Sequence, residues 1–247
     1  VYGTKRPLGE AVADFLVRRL PRTARRCAAH VAIAAAALLL GALAGHLLVA
    51  ADGERFYSLV ASDLAAGRDP GATTASLRAA LYSSGDRAGE LGFFATYLFT
   101  HNVRVGMLAF AVGFAAGVPT LVLLVTNGLV LGAFSALYAG RGLATEFWAW
   151  VLPHGVPELT AVVLCGAGGL VLAEALVFPG RHSRRTNLGL RGREAALLFV
   201  GAGLLFLAAA LVEGVFRQTV HDVEARYAVA AAGAVGLLGW LGLAGRR

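Results

Sequence analysis

Residues 151–160 read VLPHGVPELT. His154 and Glu158 stand four residues apart, bracketed by Pro153 and Pro157, with Gly155 between them. On either side the chain is apolar, LATEFWAW at 143–150 and a long alanine, valine, leucine and glycine run after Thr160. Two ionisable groups and two helix breakers stand where a lipid-facing chain has little room for either.

Composition explains why lipid is the relevant solvent. The 247 residues are 57% hydrophobic and 15% charged, and the mean hydropathy is +0.68. Ordinary soluble domains hold about 25% charged residues, so the class implied is a polytopic membrane protein. The formal charge is +7, but the basic residues come in short blocks between apolar runs. That is the flanking pattern of membrane spans, and nucleic acid is not expected as a partner. Cys27 lies at the basic foot of the first apolar run and Cys165 inside another. Neither has companions at metal-ligand spacing, so both read as packed thiols outside any disulfide framework. No cleavable signal precedes the first span, and a chain beginning at Val1 leaves room for residues upstream.

A hydrocarbon core about 30 Å thick takes about 20 apolar residues per helix. The first candidate is 28–50. The block 91–138 is too long for one span and is punctuated by Gly113, Gly117 and Pro119, which divides it into helices near 93–115 and 118–139. Further spans follow near 158–178, 195–216 and 226–244, about six crossings in all. Charge orients them. Lys5, Arg6, Arg18, Arg19, Arg22, Arg25 and Arg26 precede the first span, Arg181, Arg184, Arg185, Arg191 and Arg193 fill the loop at 179–193, and the chain ends Arg246-Arg247. Segment 52–92 is instead acidic, with Asp52, Glu54, Asp63, Asp69, Asp86 and Glu90. By the positive-inside rule both termini and the 179–193 loop are cytoplasmic, and an odd number of crossings separates 92 from 179.

The chain thus divides into a cytoplasmic basic segment, 1–27, and a transmembrane helical domain, 28–247, carrying an extracytoplasmic insertion at 52–92. In residues 8–20, Leu8, Val12, Phe15, Leu16 and Leu20 make an apolar stripe among basic neighbours. Such a helix lies on the anionic inner leaflet or packs beneath the bundle, and the sequence leaves both open. The insertion has a turn at Asp69-Pro70-Gly71, expected short helices near 56–64 and 75–83, and enough extent to hold a partner. Gly41 with Gly45, Gly113 with Gly117 and Gly128 with Gly132 have the spacing that lets helix backbones approach in lipid. Such pairs serve packing within the chain or a homo-oligomer face.

Depth then gathers the polar residues. His101, Asn102 and Arg104 fall in the outer half of the second span, Asn127 near the middle of the third, and Glu146, His154 and Glu158 around the start of the fourth. Residues 143–150 are too short to cross, and the prolines follow directly, so the expected form is a re-entrant segment dipping in from the outer side. Non-helical backbone survives at that depth only where protein or trapped water satisfies it. The seven residues are therefore expected to share a polar pocket, with Arg104 paired to Glu146 or Glu158 and Glu213 as a possible addition. Such a pocket knits a broken helix to its neighbours, or holds an ion, lipid headgroup or solute, or holds a metal. His154 and Glu158 alone fall short of the HExxH pattern, so no metal, cofactor or catalytic residue is expected.

Several of these residues carry a family resemblance. His101-Asn102-Val103-Arg104-Val105, Phe110-Ala111-Val112-Gly113, Asn127-Gly128 with Gly132, Glu146-Phe147-Trp148, and Leu152-Pro153-His154-Gly155 with Glu158-Leu159 resemble, in order and spacing, the stage II sporulation protein M family of integral membrane proteins. The similarity runs from roughly Arg18 onward, and His101 stands where the family commonly has asparagine. The resemblance implies a non-enzymatic envelope scaffold or assembly factor of the cytoplasmic membrane, a recruiter of cell-wall-modifying enzymes. A transporter or channel for a small ion or lipid headgroup is the alternative, and an intramembrane metal-dependent hydrolase the third.

Overall fold

A computed structural model describes residues 7–82 and 88–246; the side chains within 88–98 and at 215, 217 and 218 fall outside the description. Lys5, Arg6, Asp86, Glu90 and Arg247, used above for orientation, fall among the residues or side chains not described. Among the described residues every regular element is helical. A short arm comes first, α1 (Leu8–Asp14), a π-helical turn at Phe15–Arg19, and α2 (Leu20–Arg26). The long helices are α3 (Ala28–Ala51), α7 (Ala88–Ala111), α8 (Val118–Ala139), α9 (Ala144–Val177), α10 (Arg184–Thr219) and α11 (Val223–Leu243). Between α3 and α7 lie three small ones, α4 (Phe56–Leu59), α5 (Ser62–Ala65) and α6 (Thr74–Tyr82).

Among the described residues five long helices, α3, α8, α9, α10 and α11, are long and apolar enough to cross a membrane. Their exposed faces agree with that reading. Leu39, Leu40, Leu43 and Leu47 project from α3, and Val235 and Leu238 from α11, far more apolar surface than a soluble monomer leaves open. In the most apolar stretch of α9, 72% of the residues are buried, against 28% in α3 and 11% in α11. The bundle is built around α9.

The glycine spacings pack this bundle internally. Gly41 and Gly45 lie on the backbone of α8 at Val125 and Leu129, and Gly128 and Gly132 lie on α3 at Leu38, Ala42 and His46. His46 Nδ1 and Ser135 Oγ, 3.2 Å apart, join the same two helices. Gly113 abuts the backbone of Gly169 on α9. Gly117 has φ +77°, a conformation open to glycine, and caps α8 just before Pro119 in the helix's first turn.

One expectation needs correction. Residues 143–157 do not make a re-entrant segment; α9 is a single helix of 34 residues with Pro153 and Pro157 inside it. Each proline removes one N–H, leaving the carbonyl four residues earlier without its amide, at about 3 kcal/mol in water. In hydrocarbon the comparison changes. Unwinding several residues would strand more backbone groups, each costing several kcal/mol, so the helix continues through both prolines.

Ties at the two ends fix the arrangement. At one end His30 on α3 meets Glu174 on α9 at 3.1 Å, and Arg191 on α10 reaches the same carboxylate at 2.8 Å and also pairs with Glu194. Arg25 on α2 donates to the last carbonyls of α11, at Leu241 (2.7 Å) and Ala244 (2.8 Å), where the helix dipole favours a cation. Trp240 Nε1 donates to Leu16 O at 2.9 Å. The two alternatives for residues 8–20 therefore divide along the arm: Leu20, Pro21, Thr23 and Ala24 are buried beneath the bundle, while Leu8, Val12 and Val17 stay exposed. At the other end, Tyr227 Oη at the start of α11 donates to Thr145 O at the start of α9, 3.0 Å away. Segment 52–82 folds there on an apolar patch of Phe56, Val60, Leu64, Leu77 and Leu81 against Phe134, Leu137 and Phe147.

Candidate functional site

α7, α8 and α9 enclose a cavity lined by His101 and Asn102 from α7, Asn127 and Tyr138 from α8, and Trp150, His154 and Glu158 from α9. Phe134 and Phe147 add aromatic wall, while Arg68 and Leu81 reach it from segment 52–82. The space open to the centre of a water molecule is about 80 Å³. One water needs about 10–15 Å³ by that measure, so there is room for roughly five to eight waters or a small solute of similar bulk.

Helix periodicity positions the polar groups. His154 and Glu158 fall one turn apart on one face of α9, which the unbroken course of the helix preserves. Glu158 is 4% exposed and His154 8%. The Asn102 side chain hydrogen-bonds the Glu158 carboxylate, while Glu158 Oε1 has no hydrogen-bond partner. His101 and Asn127 share a side-chain hydrogen bond. The Trp150 and His154 rings meet edge to face, centroids 5.4 Å apart, and Tyr138 stacks on Phe147 at 4.8 Å. A carboxylate with one oxygen unpartnered, on a residue that lines a cavity, can receive a hydrogen-bond donor or a cation there.

Of the seven residues expected to share a pocket, His101, Asn102, Asn127, His154 and Glu158 line this cavity. Arg104 does not. It is exposed on the surface of α7, turned away from the cavity. Glu146 does not either; it pairs with Arg78 of α6 at 3.5 Å, at the rim. The pairing of Arg104 with Glu146 or Glu158 is replaced by these arrangements. Glu213 lies behind His154, in a smaller cavity of about 10 Å³ that it lines with Trp150, Pro153, Phe216 and Arg226. Arg226 is 2% exposed, donates from Nε to Val220 O at 2.8 Å and faces the Tyr82 ring at 5.7 Å.

Arg68, Tyr138, Trp150 and Arg226 were not singled out by sequence reasoning. Arg226 left a signal, a lone cation at the head of an apolar run, a position that seeks a partner. Arg68 left none, since an arginine in an outer segment reads as solvated. Among the described residues no three of histidine, cysteine, aspartate and glutamate come together to hold a metal ion.

No curated protein and no solved structure matches the chain. The model of the family described as stage II sporulation protein M matches residues 30–216. That range runs from the foot of α3 almost to the end of α10 and contains every residue lining the principal cavity. By that match, over well more than half its length, the chain belongs to the stage II sporulation protein M family of membrane proteins.

Proposed function

We propose that the protein is a multi-pass component of the cytoplasmic membrane that binds a small polar solute or ion in the cavity between α7, α8 and α9, as a transporter or receptor of the envelope and without chemistry of its own. The observation that carries this reading is Glu158. A polar network built only to hold helices together satisfies its members, because a half-satisfied network in low dielectric destabilises the fold. Here one carboxylate oxygen is buried and unpartnered, on a side chain that lines a space with room for a ligand. In this reading α7 is a sixth crossing, and the end carrying α2, the 179–193 loop and the last turn of α11 is cytoplasmic, as the positive-inside rule favours. The cavity then opens toward the outer side, beneath segment 52–82.

The test is a solute screen on the purified chain in nanodiscs, with melting temperature and tryptophan fluorescence as readouts. At least one small polar solute or ion should stabilise the parent protein, and His154→Ala and Glu158→Gln should fold yet lose the response. A parent protein indifferent to every solute, with both variants behaving like it, would contradict the reading.

A second reading, the envelope scaffold, has its own support. Segment 52–82 is compactly folded and turns Glu54, Arg55 and Ser58 outward. A recruiter of wall-modifying enzymes would lose partner co-purification when those three are replaced, with the cavity's solute response intact. The reverse pattern would leave the cavity as the working part.

A further inference from the structure

The cavity's walls narrow the class of ligand, an argument that rests on the binding function proposed above. Its inner part holds the free Glu158 oxygen beside Asn102. Four aromatic rings, Phe134, Tyr138, Phe147 and Trp150, make much of the remaining wall. At the outer end, Arg68 lies beside Tyr138. Tyr138 is about eleven residues further along α8 than Asn127, roughly 16 Å at 1.5 Å per residue. Glu158 and Arg68 thus stand toward opposite ends of the cavity.

Several ligand classes fit this poorly. A small anion would meet the Glu158 carboxylate. A hard cation such as calcium or magnesium asks for about six oxygen ligands, and the side chains here offer Glu158, two asparagine amides and the Tyr138 hydroxyl amid aromatic carbon; among the described residues no three of histidine, cysteine, aspartate and glutamate gather for a softer metal. A neutral polyol brings no charge to stabilise an ionised Glu158 in so buried a place. An ammonium group satisfies each demand: it donates to the open carboxylate oxygen, and its charge is welcome against ring faces. The apolar walls suit a short carbon stem.

We infer that the cavity binds a small primary ammonium compound of about eight or fewer non-hydrogen atoms, its NH3+ on the Glu158 carboxylate and its carbon stem along the aromatic wall. Ethanolamine and glycine are of this kind, as free solutes or, for ethanolamine, as the terminal group of a phospholipid.

The experiment uses the full chain in nanodiscs of phosphatidylglycerol, titrated with ethanolamine, glycine, methylammonium, ethylene glycol, acetate and sodium chloride. Ethanolamine and glycine should raise the melting temperature at concentrations at least tenfold below those needed for ethylene glycol or acetate. Glu158→Gln should weaken ethanolamine binding at least tenfold. Should that variant fail to fold, Phe147→Leu serves in its place, with a loss of severalfold from the missing ring face. Repeating the titration with phosphatidylethanolamine added separates the sources: a response to free ethanolamine that disappears names the lipid headgroup, and one that persists names the free solute. Binding of ethylene glycol, acetate or sodium with no preference for ammonium would overturn this inference and leave the binding function standing. Silence toward the whole panel, in a cavity that solvent-borne probes cannot reach, would overturn both.

Discussion

Glu158 separates stability from function more cleanly than any other residue in the chain. One of its oxygens is held by Asn102 and the other lacks a partner, so as a charge it weighs against the folded state. Glu158→Gln keeps the shape and removes that burden. The variant should melt at the same temperature as the parent or a few degrees higher, equivalent to about 1 kcal/mol, when followed by circular dichroism in mild detergent. A fall of many degrees would mean that the carboxylate is structural. Cys27 offers a second test at this scale. Burial first, and then Glu194 nearby, push its thiol up to about 11. Raising the pKa favours the neutral thiol, so at pH 7.5 the reactive thiolate is on the order of one in a thousand or less. Alkylation by iodoacetamide should be negligible there and accelerate only as pH climbs toward about 11. Rapid labelling at pH 7.5 would contradict the packing at the foot of α3.

At the scale of elements, the close helix contacts were legible and the central helix was not. Glycine at fixed spacing is a local signal, and Gly41, Gly45, Gly128 and Gly132 do seat α3 on α8. A side chain at Gly45 would drive into the Leu129 backbone, whereas one at Gly236 on α11 meets nothing within 4 Å. Gly45→Val should therefore destabilise by about 3 kcal/mol or more and Gly236→Ala by less than about 0.5 kcal/mol. Equal effects would contradict the α3–α8 seam. α9 was misjudged because proline penalties measured in water were carried into a solvent where broken backbone costs more. The break before α8 was legible because Gly117 supplies the positive φ that the turn requires. Arg25 belongs to this scale too. It satisfies two terminal carbonyls of α11, a helix with little other internal packing, so Arg25→Ala should lower stability by about 1–3 kcal/mol. Limited proteolysis after α10 should rise with it.

For the molecule as a whole, hydropathy and charge pattern sufficed for the helical membrane class, and depth along the spans sufficed to bring His101, Asn102, Asn127, His154 and Glu158 together. What escaped is what tertiary packing decides. Arg104 faces outward because of its rotation about α7, and a charge written in the sequence carries no azimuth without knowing which neighbours surround the helix. Arg68 arrives from a segment folded over the bundle, a contact no local pattern encodes. The topology is itself testable. Single cysteines placed at Ser58 and Ser183, in a background lacking Cys27 and Cys165, should be blocked by an impermeant maleimide from opposite sides of the membrane. The same side for both would remove α7 as a crossing and with it the outward-facing cavity.

The most direct measurement is an experimental density map of the protein in nanodiscs with and without ethanolamine. The account predicts added density within about 3 Å of Glu158 Oε1, between Asn102 and the Trp150 ring, present only with the ligand. A side chain of the protein itself occupying that place, with the cavity filled in both maps, would contradict it.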